Sequence, residues 1–275
     1  MTRALAVFQT ALLSVSSASF AFGQGVPTSQ PNLVQITREE VKTGHNAMHS
    51  VYEAGWPAAY AKAKSPNYYL ALVAITGPNE AWYISPYSSH AALGESMKRA
   101  SDDKALSADI DRLQKGDADH INSVRTIHAV ARTDLSYGAF PDMALARFFE
   151  VTTFRVRPGF EEAFANVAKA YAGAAKRAAP NVSWRTYQVI AGLPGPTFLI
   201  FSSVQSFADF DRGMHDDMEI GKAFTPEEQQ MMEKFGTTGL INAETQRFRL
   251  DPVQSYVDAA TKAKDPKFWS PGANP

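Results

Sequence analysis

Two histidines stand four residues apart in GHNAMHSVYEAGW, the stretch from Gly44 to Trp56, in a chain with six histidines and no cysteine. On a helix, residues four apart sit on adjacent turns of one face, so His45 and His49 could ligate one metal ion together. Imidazole is also the side chain here best suited to haem iron, methionine aside, and an unprotonated His49 could act as a catalytic general base. The other possibility is packing, with His45 exposed on the first turn and His49 bonded to a backbone carbonyl in the core. The zinc-protease motif is missing its base, because Asn46 rather than glutamate follows His45.

Other donors fall in two clusters, His215-Asp216-Asp217 and Asp117, Asp119 and His120. Both sit at polar helix ends or turns, where such residues usually act as solvated caps. No G-x-S-x-G, phosphate loop or G-x-G-x-x-G occurs, so serine hydrolase, nucleotide and dinucleotide chemistry lack their motifs. Gly192 to Pro196, GLPGP, reads as a turn, since its two prolines remove amide donors a phosphate cradle needs. With 27 basic and 28 acidic residues and no long single-sign run, nucleic acid and polybasic membrane binding are not expected. A small apolar or aromatic molecule suits the chain better, because Tyr68, Tyr69, Trp82, Tyr83 and Tyr87 concentrate aromatic surface in its first part.

The first 23 residues have one base, Arg3, an apolar run and small residues at Ala21 and Gly23 around Phe22, the layout of a cleavable signal peptide. Residues 24–32 read as a flexible lead. After cleavage no stable membrane span is expected. An exported chain without cysteine fits a bacterial periplasm, so the expected location is periplasmic or secreted.

The elements that would position the histidines occur twice. VKTGHNAMHSVYEAGW from Val41 lies on VRPGFEEAFANVAKAY from Val156 at an offset of 115, and GPNEAWYISPYSSHA from Gly77 lies on GPTFLIFSSVQSFA from Gly195 at 118. Ile121-Asn122 then matches Ile241-Asn242, and Ser136-Tyr137 matches Ser255-Tyr256. Each copy has a β-branched strand ended by a glycine (Gly44, Gly159), a long amphipathic helix (44–64, 159–179) and two strands (68–76 with 81–84, 183–191 with 197–201). A helix begins near Ser88 or Ser206, a further helical stretch follows (106–115, 225–234), and a last strand runs through 124–131 or 244–250. The order β-α-β-β-α-β is ferredoxin-like. It predicts an α+β fold in which two tandem units, residues 33–140 and 148–257, pair their antiparallel sheets into a barrel, followed by a C-terminal tail, 258–275.

The strand ending V-R-P-G and leading into F-E-E-A-F, Val156 to Phe164, resembles the first strand and helix of the dimeric α+β barrel superfamily, of the antibiotic-biosynthesis-monooxygenase-like and stress-responsive types. The resemblance covers both copies in outline. It implies a barrel made within one chain or by a homodimer, with a ligand held between helices and sheet. Haem-degrading members use an asparagine seven positions before the glycine, and a tryptophan and a histidine at the second helix. Here the strand position is Thr37 and no tryptophan lies in 88–100, although Trp82 and His90 flank its start.

The second copy's helix shows an apolar stripe at Phe160, Phe164, Val167, Tyr171 and Ala174. The offset of 115 places His45, His49, Tyr52, Trp56 and Ala59 on it, so the two histidines stand where the other copy has phenylalanine. His45, His49, Tyr52, Trp56, Trp82 and His90 are therefore the candidate ligand-binding residues, His45 and His49 the candidate metal ligands and His49 the candidate catalytic base. No cofactor is required by the sequence, while metal or haem is compatible with it. The leading expectation is an exported small-molecule-binding or sensing protein with a helix-sheet pocket in the first unit. The alternatives are a cofactor-independent or metal-assisted monooxygenase-like enzyme on an aromatic or planar substrate, and a structural assembly.

Overall fold

The computed structural model describes residues 25–271, so the expected leader, residues 1–23, lies outside the described residues. Eight antiparallel strands close into one barrel: β1 (Leu33–Val41), β2 (Tyr69–Ala74), β3 (Glu80–Tyr87), β4 (Ile121–Ala131), β5 (Phe148–Val156), β6 (Arg185–Ala191), β7 (Thr197–Val204) and β8 (Leu240–Tyr256). Around the barrel the order is β1-β3-β2-β8-β5-β7-β6-β4. The first four strands are thus contiguous as β4-β1-β3-β2, the last four as β8-β5-β7-β6, and β2–β8 and β4–β6 join the halves. Closure leaves no unpaired edge, the usual liability of an antiparallel sheet.

Side chains alternate along each strand between the barrel interior and the helices outside. On β1, Val34 and Ile36 enter the interior cluster with Leu72, Trp82, Ile127, Phe149, Leu199 and Phe248, whereas Glu39 and Val41 take the outer parity. On β3, Trp82 points inward and Tyr83 outward, into a cluster with Tyr69, Ala71, Ala81 and Tyr256.

The helices pack on this outer face. In the first half they are α1 (Asn46–Glu53), α2 (Gly55–Lys62), α3 (His90–Asp102) and α4 (Lys104–Asp117). In the second they are α5 (Glu161–Ala178), α6 (Asp209–Lys222) and α7 (Pro226–Thr238). Gly44 and Gly159 both have positive φ, +84° and +88°, a conformation L side chains rarely adopt, which explains why both first strands end on glycine. The helix expected over 44–64 is divided at Ala54. Pro57 is tolerated in the first turn of α2, where its missing N–H leaves no bond unmade, but inside an unbroken helix it would remove the bond to Glu53. The second half has no proline there, and α5 runs on for 18 residues.

Residues 259–269, expected as part of a tail, fold into α8 (Ala259–Lys264) and α9 (Pro266–Trp269). Trp269 packs into the interior cluster and its indole N–H donates to the Ala144 carbonyl at 2.9 Å. The lead is also tied down, because the Val26 amide donates to Asp258 at 2.8 Å. Among the described residues, no helix is long and apolar enough to cross a membrane.

Candidate functional site

The seam between β1, β3 and the helices of the first half contains a buried polar group. Glu39 on β1, His49 and Glu53 on α1, and Asp117 at the end of α4 each direct one ligand atom to a common point, all within 4.8 Å of one another. His49 is 3% exposed, Glu53 5% and Asp117 3%. Local structure accounts for the convergence. His49 and Glu53 share a face of α1 at a spacing of four, and Glu39 has the outward parity of β1. Asp117 reaches them because α4 approaches α1 at Gly116, where an added Cβ would lie 2.2 Å from Cε1 of Tyr52.

The hydrogen bonds orient the imidazole. His49 Nδ1 lies 2.9 Å from Asp117 Oδ2 and 4.0 Å from Glu39 Oε2, and Nε2 lies 3.3 Å from the Tyr83 hydroxyl. That hydroxyl donates its proton to Gln254 Oε1 at 3.1 Å, while Gln254 Nε2 donates to Ser50 Oγ at 3.2 Å. The Tyr83 oxygen therefore accepts from Nε2–H, and Nδ1 is left facing the carboxylates. Glu53 accepts from the Trp56 indole at 3.0 Å. Glu39 Oε2 and Asp117 Oδ1 are buried with no hydrogen-bond partner.

Burial dominates the electrostatics. It raises the Glu53 carboxyl to about 9, helped by Glu39, against the hydrogen bond from the Trp56 indole. It also raises Glu39 to about 7, with His49 opposing and Asp117 adding to the rise. The Tyr83 hydroxyl is held well above its usual value by the same desolvation and by Glu53. Three carboxyl groups this close and this dry favour proton uptake or a cation.

The candidates from sequence separate in space. His49 and Trp56 belong to this group. His45 does not: its Nδ1 lies 2.9 Å from Nδ1 of His120, with Tyr52 stacked on the His120 ring at 5.6 Å, so the expected His45–His49 metal pair is replaced by His45–His120 and His49–Asp117. Trp82 faces the barrel interior, donating to Glu80 at 2.8 Å beneath the Arg38 guanidinium, because its parity on β3 is opposite to that of Tyr83. His90 is exposed at the start of α3. Asp117 is buried rather than a solvated cap. Glu39 and Glu53 were not singled out from sequence, although the offset of 115 sets Glu39 on Phe154 and Glu53 on Ala168, an exchange of acid for apolar residue at each position.

The described residues also form two cavities of note. One, of about 130 Å³, lies between helices and sheet of the first half and is lined by Gln35, Tyr60, Asn67, Tyr87, Ser96 and Arg99. Its Tyr60 wall stacks on Trp56 at 6.2 Å, whose indole donates to Glu53. The other, of about 90 Å³, is an apolar cavity at the barrel end lined by Val34, Tyr68, Leu72, Phe149, Tyr187 and Phe201 among others.

No protein-family model matches the chain, and no curated protein matches it. Solved structures do. An anthrone oxidase-like protein aligns with 82% of this chain and 93% of its own, at 10% identity and a TM-score of 0.54. A presumed monooxygenase from Fusobacterium nucleatum aligns over 79% and 91%, at 8% identity and a TM-score of 0.53. Another, from Lactobacillus acidophilus, aligns over 83% and 100%, at 9% identity and a TM-score of 0.50. At such identities the likeness is one of fold: the chain has the α+β barrel architecture that these proteins share.

Proposed function

We propose that this protein is a monooxygenase-like enzyme acting on an aromatic or planar substrate, with its chemical centre in the first half's seam. The single observation that carries this reading is the oriented His49 between Asp117 and Tyr83, in a helix–sheet seam whose counterpart in the second half is filled by phenylalanine. The similarity in fold to an anthrone oxidase-like protein and to presumed monooxygenases supports the class of reaction. Conversion of an activated CH₂ to a carbonyl by dioxygen would place one oxygen atom in the product and the other in water, together with the two hydrogens removed. In the cofactor-independent form, the substrate lies in the cavity beside Tyr60, and its proton passes by way of Glu53 to His49, which Asp117 holds in orientation.

The proposed architecture is a tandem of two ferredoxin-like units, supported by the strand order 4-1-3-2 in each half and by barrel closure within one chain. Export to the periplasm or the medium is part of the proposal, supported by the layout of the first 23 residues. A binding or sensing role without turnover is the second reading, favoured by the apolar cavity at the barrel end.

Oxygen uptake by the purified mature chain with a panel of anthrones and hydroxyquinones tests the enzyme reading. Consumption matched by quinone formation and reduced roughly 10²-fold or more in His49→Ala is expected, the range of a lost general base. Saturable ligand binding with no oxygen uptake across the panel would leave the sensing role in its place.

A further inference from the structure

We infer that Glu39, His49, Glu53 and Asp117 form a site for one divalent transition-metal ion of the manganese or iron(II) class. The inference rests on the reading above in placing the chemistry in this seam, and it concerns what the seam binds rather than what it turns over. With an ion held, His49 is a ligand instead of the base of the cofactor-independent form.

Three independent features converge. The first is spacing. An ion about 2.0–2.2 Å from each ligand sets neighbouring donors roughly 3 Å apart and opposite donors roughly 4 Å apart. Here Nδ1 of His49 is 2.9 Å from Asp117 Oδ2 and 4.0 Å from Glu39 Oε2, and the whole set spans 4.8 Å. Small side-chain movements bring it onto a single ion.

The second is the direction of unsatisfied atoms. Glu39 Oε2, aimed at His49, and Oδ1 of the 3%-exposed Asp117 have no hydrogen-bond partner. A buried carboxylate oxygen without a donor is costly, and a cation held by the two carboxylates would offset that cost. His49 adds a third donor: with the Tyr83 oxygen on Nε2, Nδ1 faces Asp117 Oδ2 at 2.9 Å and Glu39 Oε2 at 4.0 Å, the side on which an ion would be shared.

The third is the surroundings. Histidine ligands commonly give their other nitrogen to a fixed acceptor, and ligating carboxylates are themselves hydrogen-bonded. Tyr83 backed by Gln254 meets the first description, and Glu53 under the Trp56 indole meets the second. One imidazole nitrogen with three carboxylates is a hard-to-borderline donor set. It suits manganese, iron(II) or zinc better than copper(I), which prefers thiolate and thioether, and better than calcium, which prefers an all-oxygen shell. Glu39, the most exposed of the four side chains at 14%, marks the side by which an ion would enter. The second half has Phe154, Phe164 and Ala168 at the positions of Glu39, His49 and Glu53, so one ion per chain is expected.

The test uses the mature chain stripped with a chelator and dialysed against Mn²⁺, then against Fe²⁺ under anaerobic conditions and Zn²⁺ as separate arms. Expected are one equivalent retained per chain, a melting temperature raised by several degrees, and a bound-manganese resonance coupled to nitrogen. His49→Gln should remove the nitrogen coupling, and Asp117→Asn, nearly isosteric, should weaken uptake at least tenfold with an unchanged circular dichroism spectrum. His45→Ala should bind as the parent does. No ion retained and no thermal shift in any arm, with the stripped protein folded, would overturn the site and leave a hydrogen-bonded His49–Asp117 pair in its place. Uptake without oxygen consumption would keep the site and end the enzyme reading, whereas oxygen consumption without uptake would do the reverse.

Discussion

The two helix–sheet seams of this barrel are built on one backbone plan and filled with opposite chemistry. In the second half, Phe164 stacks on Phe198 at 4.1 Å and meets Phe154 and Phe235 at 5.5 and 5.9 Å, with Val156 and Leu135 completing a dry cluster. In the first half the matching strand and helix positions are Glu39 and His49, and Asp117 comes from the corresponding helix end. Even the residue each half sends across to the other follows this division: Leu135, beyond β4, enters the second seam, and Gln254, at the end of β8, enters the first. A seam of phenylalanine needs no partner beyond its own surface. The polar seam leaves carboxyl oxygens unsatisfied, and residues that lower stability in this way are common where function requires them.

The sharpest way to break the comparison is to hollow out the apolar seam. Phe164→Ala removes a 3%-exposed ring from a packed cluster and should cost about 3–5 kcal/mol in chemical denaturation. It should leave ion uptake by the first seam as in the parent. Loss of that uptake in a folded variant would mean the two seams are not separate.

Next in size is the effect of pH, which should be confined to the polar seam. The folded values of Glu39, about 7, and Glu53, about 9, lie above the ordinary 4.5, so the folded state binds more protons than the unfolded one. Stability from these groups is fully present below about pH 4.5, declines as pH rises through about 7 for Glu39, and declines further through about 9 for Glu53. The melting temperature of chelated protein should fall by several degrees across that window, and Glu53→Gln should flatten its upper part. A profile identical in parent and variant would contradict the burial argument for Glu53.

The smallest effects come from a pair of glycines. Gly116→Ala drives a methyl to 2.2 Å from the Tyr52 ring and should destabilise by about 1–3 kcal/mol as α4 is pushed from α1. Gly236, in the last turn of α7, has nothing within 4 Å of an added Cβ, so Gly236→Ala should be neutral or stabilise by up to roughly 1 kcal/mol through helix propensity. Equal costs in urea unfolding would remove close helix approach as the reason Asp117 reaches His49.

Much of this arrangement can be read along the chain. Strand alternation, the glycines ending both first strands and the offset between the copies are local or periodic signals, and they lead to an α+β barrel and to His49 as the residue replacing a core phenylalanine. Pro57 marks the division of the first helix, while the apolar stripe continues past the break and by itself describes one long helix. The site itself was only half visible. Glu39 looks like one more charge in the polar run Thr37 to Glu40, Glu53 like an ordinary helix charge and Asp117 like a helix-end cap, since nothing local marks any of them as buried. Trp82, a candidate from its place before the second helix, lies next to Tyr83, yet strand parity sends the two to opposite faces.

The sequence by itself determined the elements, their doubled order and the exchange of phenylalanine for histidine, because hydrophobic periodicity and backbone stereochemistry act over a few residues. Only the tertiary structure decided which histidine is paired with which acid. His45 caps the helix that carries His49, yet their partners His120 and Asp117 arrive from the turn before β4 and the end of α4, and Gln254 arrives from the far end of the chain. Burial of charge is a property of the space that distant segments enclose, and no window of sequence contains that space.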